Sequence, residues 1–109
     1  MAPRRVLFLC SRNRLRSPTA EQVFGTWPRL EVDSAGLADD AEVVLTHEQL
    51  DWADLIVVME ASHRRRLQAH HRSRLKSKRV VCLDIPDRYD FMQPELVALL
   101  LKKVGPLLR

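Results

Sequence analysis

The sequence predicts an α/β fold in three layers, a four-stranded parallel sheet with helices on both faces and an anion-binding loop after the first strand. Three observations predict it. Short apolar runs rich in β-branched residues alternate with longer polar segments that carry helix signals. Three of the four runs are almost continuously hydrophobic, as strands covered on both faces are. The strict alternation of strand and helix favours crossover connections, which make parallel sheets, over hairpins. With 109 residues, no internal repeat and no linker, the chain is expected to form a single domain over residues 1–109.

The elements follow in order. Residues 6–9, Val-Leu-Phe-Leu, are the first strand, and they run directly into Cys10-Ser11-Arg12-Asn13-Arg14-Leu15-Arg16-Ser17-Pro18. Ser17-Pro18 opens the first helix, with proline in its first turn where no N–H is needed. Residues 31–33 are the second strand. Thr46-x-x-Gln49 has the form of a capping box and starts the second helix. Residues 55–59, Leu-Ile-Val-Val-Met, are the third strand, and a third helix is expected from Glu60 to about Leu75. Residues 79–83 are the fourth strand. A last helix is expected from Pro94 to Val104, stopped by Gly105-Pro106.

Composition excludes several classes of function. No apolar run reaches the roughly 18 residues of a membrane span. Met-Ala-Pro-Arg-Arg has the charge of a signal peptide, but only five apolar residues and no small-residue cleavage site follow, so a cytoplasmic location is expected. Two cysteines, Cys10 and Cys82, make no disulfide framework, and both are expected as free thiols. His70-His71 stands without the spaced Cys or His residues of a metal site, so neither metal nor cofactor is expected. Trp27 and Trp52, with no aromatic stripe around them, are expected to pack at the core or at helix ends. The net charge of +4 suits an anionic partner. The basic stretch 63–79 reads first as a solvated face and second as a surface for a nucleic acid or an acidic protein.

Chemistry concentrates after the first strand. Parallel sheets bind ligands beyond the carboxyl ends of their strands, and helix N-termini offer unpaired N–H groups to anions. Five residues separate Cys10 from Arg16, enough for the loop to curl with successive N–H groups inward as a nest and the guanidinium closing the ring. Helix N-termini and nearby cations favour thiolates, so Cys10 is placed as a nucleophile toward a bound phosphate.

Cysteine, five residues, then arginine and serine is the signature of cysteine-dependent phosphatases. Its position near the N-terminus, between a strand and a Ser-Pro helix start, resembles the low-molecular-weight protein tyrosine phosphatase family, whose loop reads C-x-G-N-x-C-R-S-P. Asn13, Arg16, Ser17 and Pro18 match. Val32-Asp33-Ser34-Ala35-Gly36 resembles the family's second strand and turn. Residues 46–62, ending in Met59-Glu60-Ala61-Ser62, resemble its helix and third strand. Ile85-Pro86-Asp87-Arg88-Tyr89 resembles its general-acid segment.

The resemblance implies a metal-independent phosphomonoester hydrolase acting through a phosphocysteine, with a phosphorylated substrate such as a phosphotyrosine protein or a small ester. Cys10 attacks phosphorus, and Asp87 protonates the leaving oxygen and then activates water. Arg16 and the N–H groups of Ser11, Arg12, Asn13, Arg14 and Leu15 hold the phosphoryl oxygens. Asn13, Ser17 and Ser34 support the loop, Ser17 also supports the thiolate, and Tyr89 lines the cleft.

The departures carry expectations of their own. Arg12 replaces the family's glycine, so strained positive-φ backbone or a reshaped loop is expected there. Leu15 replaces the second loop cysteine, removing a partner that would trap oxidised Cys10. The chain is shorter than the family's usual length, with residues 37–45 in place of a longer segment, so a shallower pocket is expected. Arg88 replaces the proline after Asp87, and Asp84 and Asp90 stand as alternative acids. Two other functions stay open on this scaffold: a phosphate-binding or polyanion-binding module without turnover, and an arsenate reductase, for which Cys82 would be the spare thiol. Cys82 otherwise reads as a buried structural thiol in its strand. Retention of Asp87 favours the hydrolase, since a binding loop needs no acid facing it.

Overall fold

A computed structural model describes residues 3–109. Strands β1 (Arg4–Cys10), β2 (Leu30–Gly36), β3 (Leu55–Val58) and β4 (Arg79–Cys82) form one parallel sheet in the order β2-β1-β3-β4. Helices α1 (Arg16–Phe24), α2 (His47–Trp52), α3 (Ala61–His71) and α4 (Pro94–Leu108) make the connections and the C-terminal cover. The three-layer α/β architecture is the expected one.

Period-two alternation in the central strands builds both halves of the core. Val6, Phe8 and Cys10 of β1, with Leu55 and Val57 of β3, face one cluster, while Leu7, Leu9, Ile56 and Val58 face the other. The first cluster is closed by Phe24 of α1 and by Leu96, Leu100 and Val104 of α4, spaced four apart along one helix stripe. Phe24 joins Phe8, with ring centroids 5.7 Å apart, to Trp27 at 4.9 Å. The second cluster is closed by Leu50 of α2 and Leu67 of α3, with Trp52 packed at its margin. Burying each such side chain contributes roughly 1.5–3 kcal/mol, so the inner strands β1 and β3 anchor everything at their ends.

The register aligns those ends. Cys10 pairs with Gly36, Leu9 with Val58, and Val58 with Cys82, so all four strands finish at the same edge. The capping box at Thr46 forms as expected, with the Gln49 N–H donating to Thr46 Oγ1 at 3.1 Å.

Two helix ends differ from expectation. α3 stops at His71 and gives way to a tight 3-10 turn over Arg72–Arg74. Leu67 is its last apolar anchor, and the positions one turn later are imidazoles that give the helix nothing to bury. α4 runs through Gly105-Pro106 to Leu108. Pro106 falls in the last turn, Leu108 beyond it packs on the core, and Arg4 Nη1 donates to the Leu107 carbonyl at 2.6 Å, which ties down the end. Gly105 is not required by packing, since a Cβ there would make only ordinary contact, 3.5 Å from the Trp27 ring.

Candidate active site

The loop between β1 and α1 is shaped by the short segment that follows β2. The N–H groups of Leu37, Ala38 and Glu42 donate to the carbonyls of Cys10, Ser11 and Arg12 at 3.0, 2.9 and 3.0 Å. In a planar trans peptide the N–H points opposite to the C=O. The N–H groups of Ser11, Arg12 and Asn13 are therefore turned away from that segment and into the hollow that the loop encloses. Ion pairs Arg12–Asp40 at 3.6 Å and Arg14–Glu42 at 3.4 Å fasten the same segment on the outside. Residues 37–45, expected only as a remnant of a longer wall, are what turn the loop's carbonyls outward.

The left-handed residue of the loop is Asn13, at φ 57°, and Arg12 is not strained. Of the two outcomes expected at Arg12, strained positive-φ backbone is therefore not the one found. Asparagine tolerates that region because its side chain bonds locally, and here Asn13 is buried with both amide N–H groups used. Its Nδ2 donates to Ser17 Oγ at 3.0 Å and to Ser34 Oγ at 2.9 Å. Ser17, accepting from Asn13, has its own proton free for Cys10 Sγ, 2.9 Å away. Ser34 Oγ donates a hydrogen bond to the Glu21 carboxylate. The network thus has a direction, from the Asn13 amide through one hydroxyl to the sulfur and through the other to an acid on α1.

Cys10, nearly buried, lies in the lining of a cavity of about 390 Å³ with Ser11, Arg12, Arg14, Leu15, Arg16 and Asp87. Arg16 is 2% exposed. Its Nη1 donates to Glu60 Oε2 and to the Ile85 carbonyl, both at 2.7 Å, and its Nε lies 3.7 Å from Asp87 Oδ1. The Glu60 and Asp87 carboxylates and the Ile85 carbonyl surround the guanidinium and fix its plane, while Asp87 itself stays exposed.

Of the residues singled out from sequence, Cys10, Ser11, Arg12, Arg14, Leu15, Arg16 and Asp87 are brought together at one cavity. Asn13, Ser17 and Ser34 lie buried behind the loop. Tyr89 is not in the cavity lining. Its ring packs against the Phe8–Phe24 core cluster with the Arg88 guanidinium 5.5 Å from its centroid, because an apolar face buried on the core gains more than one left in water. Cys82 is half-buried on β4, separated from β1 by β3, with Asp84 Oδ1 3.5 Å from its sulfur.

Three residues of this region escaped sequence reading. Glu21 lies one helical turn after Ser17, and that i,i+4 spacing was the available signal. Glu60 follows β3, at the edge where all four strands end. His63, read within a solvated basic face, is buried against the loop because it occupies the first turn of α3. Its Nδ1 accepts from the Glu60 N–H at 3.1 Å, so the proton sits on Nε2, which donates to Ser11 Oγ at 2.9 Å. Burial foremost, then the Arg16 charge, lowers its pKa from 6.5 and keeps the ring neutral.

Among the described residues no group of three or more His, Cys, Asp or Glu side chains is placed to hold a metal ion, and no helix is long and apolar enough to cross a membrane. The His70 and His71 rings stand 6.5 Å apart, with His47 beside His71 at 5.5 Å.

No protein-family model and no curated protein sequence matches the chain. Solved structures do. The fold is similar to YwlE arginine phosphatase from Geobacillus stearothermophilus, with TM-score 0.77 and 22% identity over 96% of this chain and 93% of that one. It is equally similar to Wzb of Vibrio vulnificus in complex with benzylphosphonate, with TM-score 0.77 and 22% identity over 95% and 96%. A low-molecular-weight protein tyrosine phosphatase of Streptococcus pyogenes aligns with TM-score 0.74 and 16% identity over 97% and 94%.

Proposed function

We propose that this chain, which has the fold of the low-molecular-weight protein tyrosine phosphatases, is a cytoplasmic cysteine-dependent phosphatase that hydrolyses phosphomonoesters through a phosphocysteine. The observation that carries the reading is the convergence on one cavity of a buried thiol, a hydroxyl aimed at it, a fixed guanidinium and an exposed carboxyl. A binding loop would need the guanidinium and the N–H groups alone.

The geometry supports the following steps. The phosphoryl dianion sits in the loop, its oxygens taken by the Ser11, Arg12 and Asn13 N–H groups and by Arg16. Cys10 Sγ attacks as the thiolate and forms a bond to phosphorus as the ester P–O bond breaks, and protonated Asp87 gives its proton to the departing oxygen. Water then attacks phosphorus, its proton goes to Asp87, and the S–P bond breaks to release phosphate. Ser17 stabilises the sulfur as leaving group by the hydrogen bond it already makes. Arg16 and the loop supply the electrostatic stabilisation that a cation supplies elsewhere, fixed in place before the reaction by Glu60 and the Ile85 carbonyl.

Hydrolysis of p-nitrophenyl phosphate at mildly acidic to neutral pH tests this. Turnover is expected for the wild type, abolished in Cys10→Ser and reduced about 100-fold or more in Arg16→Ala and Asp87→Asn. Turnover that survives Cys10→Ser would overturn the mechanism. A panel of phosphotyrosine, phosphoserine and phosphoarginine peptides then assigns the substrate class, the last because one similar structure is an arginine phosphatase.

A further inference from the structure

A concavity larger than the Cys10 cavity lies elsewhere on the molecule. A groove of about 930 Å³ runs between α3, the 3-10 turn and β4, and its charged lining is Arg64, Arg65, Arg72, Lys76 and Lys78, with no carboxylate. Charge is segregated along the chain to make it. Between Ala61 and Leu83 stand eight of the 18 Lys and Arg and none of the 14 Asp and Glu, which leaves the rest of the chain net acidic.

Some of these cations hold the fold. Arg64 Nη2 donates to the Val80 carbonyl at 3.1 Å, and Lys78 Nζ to the Asp51 and Ala53 carbonyls at 2.9 and 2.6 Å. Arg65, Arg72 and Lys76 do not. They are exposed, and no carboxylate stands within ion-pair distance of them among the described residues. Uncompensated like charges around one hollow repel one another and attract an anion.

The shape narrows the occupant. β4 is one of the two edge strands of the sheet, and the Val80 carbonyl that meets Arg64 lies on its open edge, inside the groove. Open strand edges pair with extended peptides. Leu75 and Val80 add apolar lining, which a phosphate backbone does not use. The lining has no aromatic side chain, the platform on which single-stranded nucleic acids stack their bases.

We infer that this groove docks an acidic peptide segment of a partner protein, extended along the open edge of β4, with its carboxylates on Arg65, Arg72 and Lys76. The inference stands on the groove and is independent of the phosphatase reading.

The test uses the full chain and a fluorescein-labelled decapeptide of alternating Glu and Val, followed by fluorescence anisotropy, beside a labelled dT10 oligonucleotide. The peptide is expected to bind with an affinity that falls as salt rises, and to shift the amide resonances of residues 80–82 in a ¹H–¹⁵N spectrum of the wild type. Arg65→Glu combined with Arg72→Glu and Lys76→Glu should weaken it at least tenfold while p-nitrophenyl phosphate turnover stays unchanged. The wild-type spectrum decides the matter even if that variant fails to fold. No peptide binding at millimolar concentration, amide shifts away from β4, or tighter binding of dT10 than of the peptide would each overturn the proposal.

Discussion

Replacing Asn13 by alanine removes both hydrogen bonds that organise the phosphate loop and leaves a side chain with a Cβ at φ 57°. Each lost bond contributes about 0.5–1.5 kcal/mol, and the bonds are buried, so the upper half of that range applies to the pair. A left-handed conformation adds roughly 1 kcal/mol for alanine, which lacks the local bonding that makes asparagine tolerant. The sum is a destabilisation of about 3–4 kcal/mol. Asn13→Gly separates the two contributions, since it loses the same bonds yet accepts the backbone, and it should be more stable than Asn13→Ala by about 1 kcal/mol despite glycine's greater freedom in the unfolded chain. Urea unfolding followed by circular dichroism gives both numbers. A loss under about 0.5 kcal/mol for Asn13→Ala, or Asn13→Gly proving the less stable of the two, would refute the assignment of Asn13 as the residue that holds the loop.

Other perturbations follow from particular contacts. Gly36→Ala would place a Cβ 2.5 Å from Ala41 Cβ and 2.6 Å from the Ser11 carbonyl, so it should cost about 1–3 kcal/mol in thermal or urea unfolding and impair turnover by lifting residues 37–45 off the loop. Gly105→Ala meets only ordinary contact at 3.5 Å from Trp27, and should raise stability by about 0.5–1 kcal/mol through helix propensity, read as a higher urea midpoint. Glu60→Ala frees Arg16 Nη1 from its carboxylate while the Ile85 carbonyl remains. We expect kcat for p-nitrophenyl phosphate to fall about tenfold, equivalent to about 1.4 kcal/mol, and an unchanged kcat would show that Glu60 does not position Arg16. His63 is held neutral in the fold, whereas the unfolded chain takes up its proton at the ordinary value of 6.5. The unfolded state therefore binds more protons below that pH, and stability should fall as pH drops from 6.5 toward the lowered folded value, with no contribution above 6.5. His63→Gln should flatten that part of the urea-midpoint profile between pH 5 and 8, and an unaltered slope would place the titration elsewhere.

The sequence by itself determined the layers and the location of the chemistry. Short continuous apolar runs rich in β-branched residues suit strands covered on both faces, and a cysteine at the end of such a strand, with five residues between it and an arginine at a helix start, is a short-range pattern visible without coordinates. The Thr46–Gln49 cap was legible for the same reason, because its partners are three residues apart. What the tertiary structure alone decided are the partners that come from distant elements. Glu60 meets Arg16 across 44 positions and His63 meets Ser11 across 52, contacts that exist because parallel strands all end at one edge. The left-handed residue is Asn13 and not Arg12, in a loop whose Cys10, Ser11 and Arg12 carbonyls are held by segment 37–45, and no local propensity encodes those contacts. Tyr89 turned to the core where its motif pointed to the cleft, since the Phe8–Phe24 cluster lies within its reach only in the folded chain. The helix ends at His71 and Leu108 were set in the same way, by where packing stops and by the Arg4 side chain that meets the Leu107 carbonyl from the first strand.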